Sequence, residues 1–315
     1  MFVTQARRCP VREDSRRDFL QARERRSAMS RANPVAFVTG ASRGIGKAGA
    51  LALADAGYDV VIGARTVDPS DEFDYGATVA DAGKPRSMPG SLNETAEAIR
   101  AKGRMALPIR LDLMDRHSLA EAVKETIATW GQIDVLYNNG IYQGAGVMDA
   151  FLDLPQDKLE NVFEGNFLAQ FYLTRLVLDH MLERGEGTIV NMTSTAAISD
   201  PEKPTGQGGW GFAYGASKGA LHRMAGMLHV ELNHRGIRAY NIDPGHVPTE
   251  AIREILGADS AVFQMQLEHG TPVEVPAAML VFLLTTEEGR ARSGETFLAP
   301  EFCAKRKLVP GWPRE

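Results

Sequence analysis

Short runs of apolar, often β-branched residues alternate along the chain with longer stretches whose apolar residues recur at helical spacing. From Pro34 onward this alternation predicts seven strands, each separated from the next by a helix or a long connection. The predicted strands span 35–38, 59–62, 105–109, 133–137, 188–192, 237–242 and 296–298. Because alternating strands and helices build parallel sheets, the pattern predicts a doubly wound α/β fold of three layers, α/β/α.

The helices predicted between these strands are regular, but two connections are unusually long. The helices span 44–56, 92–102, 118–130, 159–182, 214–233 and 274–284. The 66–90 segment is rich in Asp, Gly, Pro and Ser, and the 195–213 segment contains the run Gly206-Gln207-Gly208-Gly209. Connections of this length are uncommon and are often functional. The alternation resumes after each, so we predict one domain over 34–300 with two insertions, followed by a tail at 301–315.

Composition narrows the class of protein. The 315 residues are 44% apolar and 24% charged, which is typical of a globular chain. The longest apolar run, 277–284, is too short to span a bilayer, so no membrane span is expected. The two cysteines, Cys9 and Cys303, lie at opposite ends without metal-type or redox-type spacing. We therefore expect no metal site, a reducing compartment and a cytoplasmic location.

Charge is distributed unevenly along the chain. Residues 1–33 carry nine arginines and four acids, a net +5 against −5 for the whole sequence, which leaves −10 on the remainder. An acidic body argues against nucleic-acid binding by the main domain. The basic leader is interpreted as a disordered or non-native start, with the true start at Met29. A transit peptide and a nucleic-acid or membrane tether are the alternatives.

A glycine-rich turn follows the first predicted strand and opens the first predicted helix. Its spacing is T-G-x-x-x-G-x-G. Glycines let backbone N–H groups approach a pyrophosphate, whose charge the helix N-terminus then stabilises. The turn predicts a dinucleotide site in a Rossmann-type fold, and a tight turn without a ligand is the alternative. The expected contacts are Gly40, Ser42, Arg43, Gly44, Ile45 and Gly46.

The end of the second predicted strand indicates which nicotinamide cofactor binds. NAD enzymes place an acid there for the ribose 2′-hydroxyl, and NADP enzymes place an arginine for the 2′-phosphate. Here the strand ends in Gly63-Ala64-Arg65, and Arg43 lies inside the glycine turn. Two cations near one phosphate favour NADP(H) over NAD(H). The alternatives are that Arg65 is a solvated surface charge and that Asp68 takes the role of the acid.

Tyr214 and Lys218 are four residues apart on a predicted helix and therefore share one face. Lowering a tyrosine pKa by about 3 units requires about 4 kcal/mol. One ammonium about 4 Å away supplies about 4 kcal/mol at an effective dielectric of about 20. The pair thus predicts a tyrosine activated for proton transfer, with an ordinary helix-surface pair as the alternative.

A hydroxyl group lies where a substrate carbonyl would bind. Ser194 follows the strand predicted at 188–192, and the carboxyl ends of parallel strands line the ligand crevice. Thr193 and Thr195 are adjacent, so the location of this hydroxyl is better defined than its identity.

Taken together, these motifs resemble the short-chain dehydrogenase/reductase family. The matching features, in family order from about 34 to 300, are Thr39-Gly-x-x-x-Gly44-Ile-Gly46, Asp112, Asn138-Asn139-Gly140, Asn166, Ser194, Tyr214-x-x-x-Lys218 and Pro244-Gly245. The resemblance implies that Tyr214 is the general acid/base and that Lys218 binds the nicotinamide ribose and lowers the tyrosine pKa. It implies that Ser194 positions the carbonyl and that Asn166 holds a water that relays protons to Lys218.

The resemblance also implies contacts along the rest of the cofactor. Near the nicotinamide carboxamide it implies Pro244, Gly245, Val247 and Thr249, and at the adenine side Asp112 and Asn138. The long helices that carry Asn166 and Tyr214 form a dimer bundle in this family, which implies a homodimer or homotetramer.

The chain departs from the family pattern at three places. The family's Asn-Asn-Ala-Gly is Asn138-Asn139-Gly140-Ile141 here, which predicts a different shape of the adenosine-side loop. Ser194 and Tyr214 are 20 residues apart, more than is usual, which predicts a distinctive substrate rim. Residues 299–315 lack the family's glycine-rich ending. These differences bear on substrate and assembly.

The sequence therefore predicts an NADP-dependent oxidoreductase that interconverts a carbonyl and a secondary alcohol. The segment 250–269 would be the substrate lid, and its apolar residues indicate an apolar substrate. They are Ile252, Ile255, Leu256, Val262, Phe263 and Met265. Two alternatives remain: an NAD-dependent alcohol, hydroxysteroid or hydroxyacyl dehydrogenase, and a non-catalytic NAD(P)-binding regulatory module.

Overall fold

Seven parallel strands form the central sheet of the computed structural model, which describes residues 33–257 and 259–313. These strands are β1 (Val35–Thr39), β2 (Asp59–Ala64), β5 (Ala106–Arg110), β6 (Val135–Asn138), β7 (Gly187–Met192), β8 (Ile237–Asp243) and β9 (Thr296–Leu298). Their order across the sheet is β5-β2-β1-β6-β7-β8-β9. The predicted leader lies, apart from Asn33, outside the described residues.

Helices cover both faces of the sheet. They are α1 (Gly44–Asp55), α2 (Leu92–Ala101), α3 (Arg116–Trp130), α4 (Gln156–Phe163), α5 (Ala169–Arg184), α6 (Phe212–Leu232), α7 (Glu250–Leu256), α8 (Ala261–His269), α9 (Glu274–Thr285), α10 (Glu287–Ala291) and α11 (Ala299–Arg306). The predicted Rossmann-type α/β/α fold is confirmed.

The core consists of two apolar clusters, one on each face of the sheet. All five residues of β1 are buried, as expected of a central parallel strand with helices on both sides. Its side chains alternate between the faces: Ala36 and Val38 pack with α1, α2 and α9, whereas Val35 and Phe37 pack with α3 and α5. The uninterrupted apolar run of β1 thus reflects burial on two sides.

The long helix predicted at 159–182 is interrupted. It consists of α4, a π-helical turn at Glu164–Leu168, and α5. Hydrophobic spacing continues through this region, so the apolar pattern does not reveal the extra residue in the turn. A single π-helical turn within a helix is frequently found at functional sites, and this one contains Asn166.

The 66–90 segment is not structureless. It contains the two-residue antiparallel strands β3 (Glu72–Phe73) and β4 (Arg86–Ser87) and a 3-10 turn at Val79–Asp81. Neither strand shows an alternating apolar pattern. The pairing therefore leaves little trace in the sequence.

A helix also forms where we expected only the start of a tail. Helix α11 has Pro300 in its first turn, Lys305 and Arg306 in its last turn, and Lys307 in the left-handed conformation after it. These are ordinary signals for starting and ending a helix.

In the described part of the chain, no single helix has both the length and the apolar content needed to cross a membrane. One bent pair, Phe263–His269 with Glu274–Thr285, meets the criterion jointly at an angle of 50°. Helix α9, the second of these, packs in the core with Val275, Met279 and Leu283 fully buried.

The sheet topology determines where a ligand can bind. Strand order reverses between β1 and β6, since the chain proceeds outward from β1 to β2 and β5 and then continues at β6 on the other side. Crevices outside the carboxyl ends of strands at such a switch point are the ligand sites of open α/β sheets.

Candidate active site

A cleft of about 320 Å³ lies at the carboxyl edge of the sheet. It collects residues from the ends of several strands and from the loops that follow them. Of the residues expected to bind the cofactor, it is lined by Gly40, Ser42, Arg43, Gly44, Ile45, Gly46, Arg65, Asp112, Tyr214, Lys218, Pro244, Gly245, Val247 and Thr249. Residues separated by up to 209 positions therefore meet in one cavity.

The glycine turn can take only glycine at two of its positions. Gly40 has a φ of +67°, and a Cβ there would lie 2.7 Å from the Cα of Gly140. A Cβ on Gly46 would collide with the carbonyl oxygen of Gly40. The turn is thus packed tightly at the amino end of α1, which directs backbone N–H groups toward the cleft. This cradle fits the diphosphate of a dinucleotide.

Gly140, one of the positions where the chain departs from the family pattern, packs against the glycine turn. The backbone N–H groups of Asn139 and Gly140 both donate to the Thr39 hydroxyl, at 3.0 and 2.9 Å. The Gln170 amide donates to the Gly140 carbonyl at 2.6 Å. The loop after β6 is therefore fixed against the glycine turn.

Asn138 does not line the cleft. It is fully buried, and its amide donates to Thr174 at 2.9 Å and to Asn191 at 3.0 Å. The next two residues, Asn139 and Gly140, line the cleft instead. Because Asn138 ends β6, its side chain packs within the sheet layer, while the turn that follows reaches the ligand crevice.

Arg43 holds the 66–90 segment against the glycine turn. Its guanidinium donates to the Pro89 carbonyl at 2.7 Å, to the Thr66 hydroxyl at 3.1 Å and to the Gly90 carbonyl at 3.2 Å. It also donates to the Tyr75 hydroxyl at 3.3 Å. The expectation that Arg43 and Arg65 converge on a phosphate is therefore only half met, since most donors of Arg43 are already engaged.

Arg65 is oriented by aromatic rings of the same segment. Its guanidinium carbon lies 4.6 Å from the centroid of the Phe73 ring and 5.7 Å from that of Tyr75. Among the described residues its side chain has no hydrogen-bond partner, so its donors remain available. Asp68, the alternative acid, accepts from the Asn93 amide at 2.6 Å and is absent from the cleft lining.

The sequence did not identify Thr66, Tyr75 and Tyr142 as cleft residues. Tyr75 is almost fully buried although it belongs to a polar segment. The only sequence signal for its burial is that an aromatic residue occurs within an otherwise polar segment.

Of the catalytic candidates, Tyr214 and Lys218 line the cleft, whereas Ser194 and Asn166 lie behind its lining. Ser194 caps the 3-10 turn Thr195–Ala197 and hydrogen-bonds through its side chain to Tyr214. Lys218 is one turn further along α6 and almost fully buried. Its ammonium donates to the Met192 carbonyl at 2.8 Å and lies 5.9 Å from the centroid of the Tyr214 ring. The hydroxyl, phenol and ammonium groups thus share one site.

The electrostatics differ from the expectation that Lys218 lowers the tyrosine pKa. Burial raises the pKa of Tyr214 above its ordinary value of 10.0, the hydrogen bond from Ser194 opposes this, and Asp243 adds to it. Burial lowers the pKa of Lys218 to about 8, against which the charge of Asp243 acts. Burial is therefore the largest cause of both pKa shifts, and the nearby ammonium does not lower the pKa of Tyr214 below its ordinary value.

Asn166 links three parts of the site. Its carbonyl oxygen accepts from the Tyr142 backbone N–H at 2.8 Å, and its amide donates to the Ser217 hydroxyl at 3.1 Å. The π-helical turn around it breaks the regular i→i−4 hydrogen bonding of the helix. The side chain of Asn166 therefore positions neighbouring elements, and its amide keeps one further N–H and one further lone pair with which to bind a water.

Comparisons with known proteins agree with this arrangement. A family model described as "short chain dehydrogenase" matches residues 73–259. A 3-oxoacyl-[acyl-carrier-protein] reductase from Synechocystis sp. is 32% identical over 267 residues, covering 84% of this chain and 94% of the relative.

Two solved structures show the same fold. A 7α-hydroxysteroid dehydrogenase complexed with NADH and 7-oxo glycochenodeoxycholic acid superposes with a TM-score of 0.65 at 25% identity, covering 86% of this chain and 94% of that one. A carveol dehydrogenase from Mycobacterium avium in complex with NAD superposes with a TM-score of 0.69 at 21% identity, covering 85% and 97%.

Proposed function

This chain belongs to the short-chain dehydrogenase/reductase family, and we propose that it interconverts a carbonyl and a secondary alcohol with NADP(H), with Tyr214 as general acid/base. One observation carries this proposal: Tyr214, which is hydrogen-bonded to Ser194, and the buried Lys218 line the same cleft as the glycine turn. A module that only bound a nucleotide would have no need of this constellation.

Each residue of the site has its own role in the proposed reaction. When bound, the nicotinamide cofactor supplies or accepts the hydride at the carbonyl carbon. The Ser194 hydroxyl orients the carbonyl oxygen, and Tyr214 donates its phenolic proton to that oxygen in reduction and accepts it in oxidation. Lys218 binds the nicotinamide ribose, while burial raises the pKa of the Tyr214 phenol despite the nearby ammonium. Asn166 holds Tyr142 and Ser217 in place, and we expect it to hold the water that relays protons to Lys218.

The remaining cofactor contacts follow from the cleft lining. We expect the glycine turn to hold the diphosphate, Asp112 to contact the adenine side, and four further lining residues to contact the nicotinamide carboxamide: Pro244, Gly245, Val247 and Thr249. A 2′-phosphate is matched by Arg65, whose guanidinium is held by two rings with its donors unpaired among the described residues. We assign NADP(H) on Arg65 together with the lack of an acid from β2 in the cleft.

The cofactor assignment is tested by titrating NADPH and NADH into the protein and following nicotinamide fluorescence. We expect tighter binding of NADPH and a loss of this preference of roughly tenfold or more in Arg65→Ala, since the charge-assisted hydrogen bonds to the phosphate are removed. Arg86→Ala, an exposed arginine of the same segment, is the matched control and retains the preference. Tighter binding of NADH by the wild type would contradict the assignment.

We infer an apolar carbonyl substrate. Ala251 and Ile252 of α7 line the cleft, and Phe263 of α8 is buried. Relatives that reduce an acyl chain or oxidise a steroid hydroxyl handle substrates of this kind. A panel of apolar ketones, acyl thioesters and aldehydes therefore comes first in the search for turnover.

We also propose a homo-oligomer, a dimer or a tetramer, in a reducing compartment such as the cytoplasm. Helices α5 and α6 expose large apolar side chains that a second copy would cover: Phe171 on α5, and Met227 and Val230 on α6. The described cysteine, Cys303, is buried and free, as expected where disulfides do not form.

The catalytic proposal is tested with NADPH and the substrate panel. We expect the wild type to oxidise the cofactor and Tyr214→Phe to lose at least about 10²-fold in turnover, the usual size of a general-acid contribution. Cofactor binding should persist in this variant. Equal turnover of wild type and variant would contradict the role of Tyr214, and cofactor binding without turnover of any panel member would favour a non-catalytic module.

A further inference from the structure

The last residue of β8, Asp243, is a buried carboxylate beside the catalytic site. It is 7% exposed and directly precedes the loop Pro244-Gly245 at the nicotinamide end of the cleft. Its position in the sequence suggests no role, because the side chains around it, Thr195, Tyr214, Lys218 and His222, lie 21 to 48 residues away in the chain. A carboxylate this deeply buried is costly unless it is hydrogen-bonded or balanced by a charge.

Asp243 connects two loops of the site. One carboxylate oxygen accepts from the Thr195 hydroxyl at 2.6 Å, and the other accepts from the Gly245 backbone N–H at 3.0 Å. Thr195 immediately follows Ser194, and Gly245 belongs to the loop assigned to the nicotinamide carboxamide. The carboxylate therefore ties the residue that orients the substrate carbonyl to the loop that orients the hydride-carrying ring.

The titratable groups that face Asp243 lie on α6. Its charge acts on Tyr214, Lys218 and His222, which recur every four residues along one face of that helix. Two other elements that pack against β8 carry titratable side chains, Glu274 on α9 and His234 and Arg235 on the 3-10 turn Asn233–Arg235. The remaining neighbours contribute none: β7 ends in Met192, the following turn is Thr195–Ala197, and β9 is Thr296–Leu298. His246, on the loop after β8, is exposed.

We propose that Asp243 is a positioning residue of the catalytic centre, holding the Ser194–Thr195 turn against the nicotinamide loop and supplying the negative charge that keeps Lys218 protonated. The inference deepens the proposed function and rests on it for the catalytic roles of Ser194 and Lys218. Lys218 needs such a charge, because burial lowers its pKa to about 8 and its ammonium is bonded to a neutral carbonyl.

Two variants separate the charge from the geometry. Asp243→Asn removes the charge but retains both contacts, since its carbonyl accepts from Gly245 and its amide donates to the Thr195 hydroxyl, which can act as an acceptor. Thr195→Val retains the charge and removes the tie to the Ser194 turn. A purely structural role would make both variants lower turnover without moving any pKa.

The direct readout is the pKa of Lys218 in protein carrying ¹³C-labelled lysine. The chain has nine lysines, and the Lys218 signal is assigned by its loss in Lys218→Met. We expect its titration midpoint to fall by roughly 0.5 to 1 unit in Asp243→Asn and to stay unchanged in Thr195→Val. An unchanged midpoint in Asp243→Asn would overturn the proposal, and this result does not depend on finding a substrate.

The second readout is the pH profile of carbonyl reduction. Removing the negative charge favours loss of a proton from both Lys218 and Tyr214, so the alkaline limb of kcat/KM should move to lower pH whichever group titrates. His222 does not interfere, because burial lowers its pKa below 6.5. If the alkaline limb of kcat/KM does not move in Asp243→Asn, Asp243 has no electrostatic role in turnover. If the Lys218 midpoint moves but no carbonyl is reduced by the wild type, the proposed function fails and the electrostatic role of Asp243 stands.

Discussion

At the scale of single residues, the spacing of Tyr214 and Lys218 predicts that their side chains lie close together, but it does not predict their pKa values. Four residues on a helix place two side chains on one face whatever the fold around them. Their pKa values instead depend on burial in the assembled protein, which raises that of Tyr214 and lowers that of Lys218. Desolvation depends on the assembled fold and therefore cannot be predicted from local sequence. The same holds for the proximity of Asp243 to this pair.

The buried ammonium of Lys218 should make the cofactor-free protein less stable. Its folded pKa of about 8 lies below the ordinary 10.5, so the unfolded chain binds more protons between these values and stability rises with pH across that window. Lys218→Met should therefore increase the free energy of unfolding at pH 7 by up to about 3 kcal/mol, while abolishing turnover.

The pH dependence distinguishes this effect from better packing. The advantage of Lys218→Met should shrink by about 2 kcal/mol between pH 7 and 9.5, as the wild-type lysine loses its proton on folding. Urea unfolding at both pH values measures it. A stability difference that is the same at both pH values would show that the charge of Lys218 is not responsible.

At the scale of elements, regular strands and helices were predictable, whereas the 66–90 segment was not. Strand β1 carries its own signal, an apolar run that ends at a glycine turn. The 66–90 segment is held by contacts that its sequence does not reveal, such as the bonds from Arg43 to Pro89 and Gly90, 46 and 47 residues away. The Asp149 carboxylate likewise accepts from the Val79 backbone at 3.1 Å. Arg43 thus fixes both ends of the segment, and Asp149 fixes its middle.

Removing the side chain of Arg43 should release this segment. Arg43→Ala loses its bonds to Thr66, Tyr75, Pro89 and Gly90, and buried acceptors left unpaired destabilise the packed state locally. Limited trypsin digestion should then cut after the exposed Arg86 several-fold faster than in the wild type.

The matched control is Arg100→Ala, an exposed arginine on α2 that donates only to the Ala106 carbonyl. It should leave cleavage after Arg86 unchanged. Equal cleavage rates in all three proteins would mean that Arg43 does not hold the 66–90 segment.

At the scale of the whole molecule, the α/β alternation predicted a parallel sheet, and that sheet brings the predicted motifs to one edge. The glycine turn after β1 and Ser194 after β7 are more than 150 residues apart, yet both follow strands that point the same way. The oligomeric state, by contrast, could not be predicted from the apolar pattern. The exposed apolar side chains on α5 and α6 have the same helical spacing in the sequence as apolar side chains that are buried in the core. The division into one domain over 34–300 stays a prediction.

The proposed oligomer should dissociate when its apolar face is charged. Val230 is 76% exposed on α6, and Val230→Glu would bury an unpaired carboxylate in the interface. Light scattering should show a smaller species with an unchanged circular dichroism spectrum. Val79→Glu, at a valine 43% exposed in the 66–90 segment, is the control and should leave the mass unchanged. A monomeric wild type would contradict the assembly.

The central claim is that this cleft transfers hydride to a carbonyl while Tyr214 transfers the proton. It is tested most directly with NADPH deuterated at the transferring position of C4 and a ketone found by the panel, with the product analysed by mass spectrometry. We predict one deuterium on the carbinol carbon in the wild type and no detectable product from Tyr214→Phe, which still binds NADPH. A product without deuterium, or deuterated product formed by Tyr214→Phe at the wild-type rate, would contradict the account.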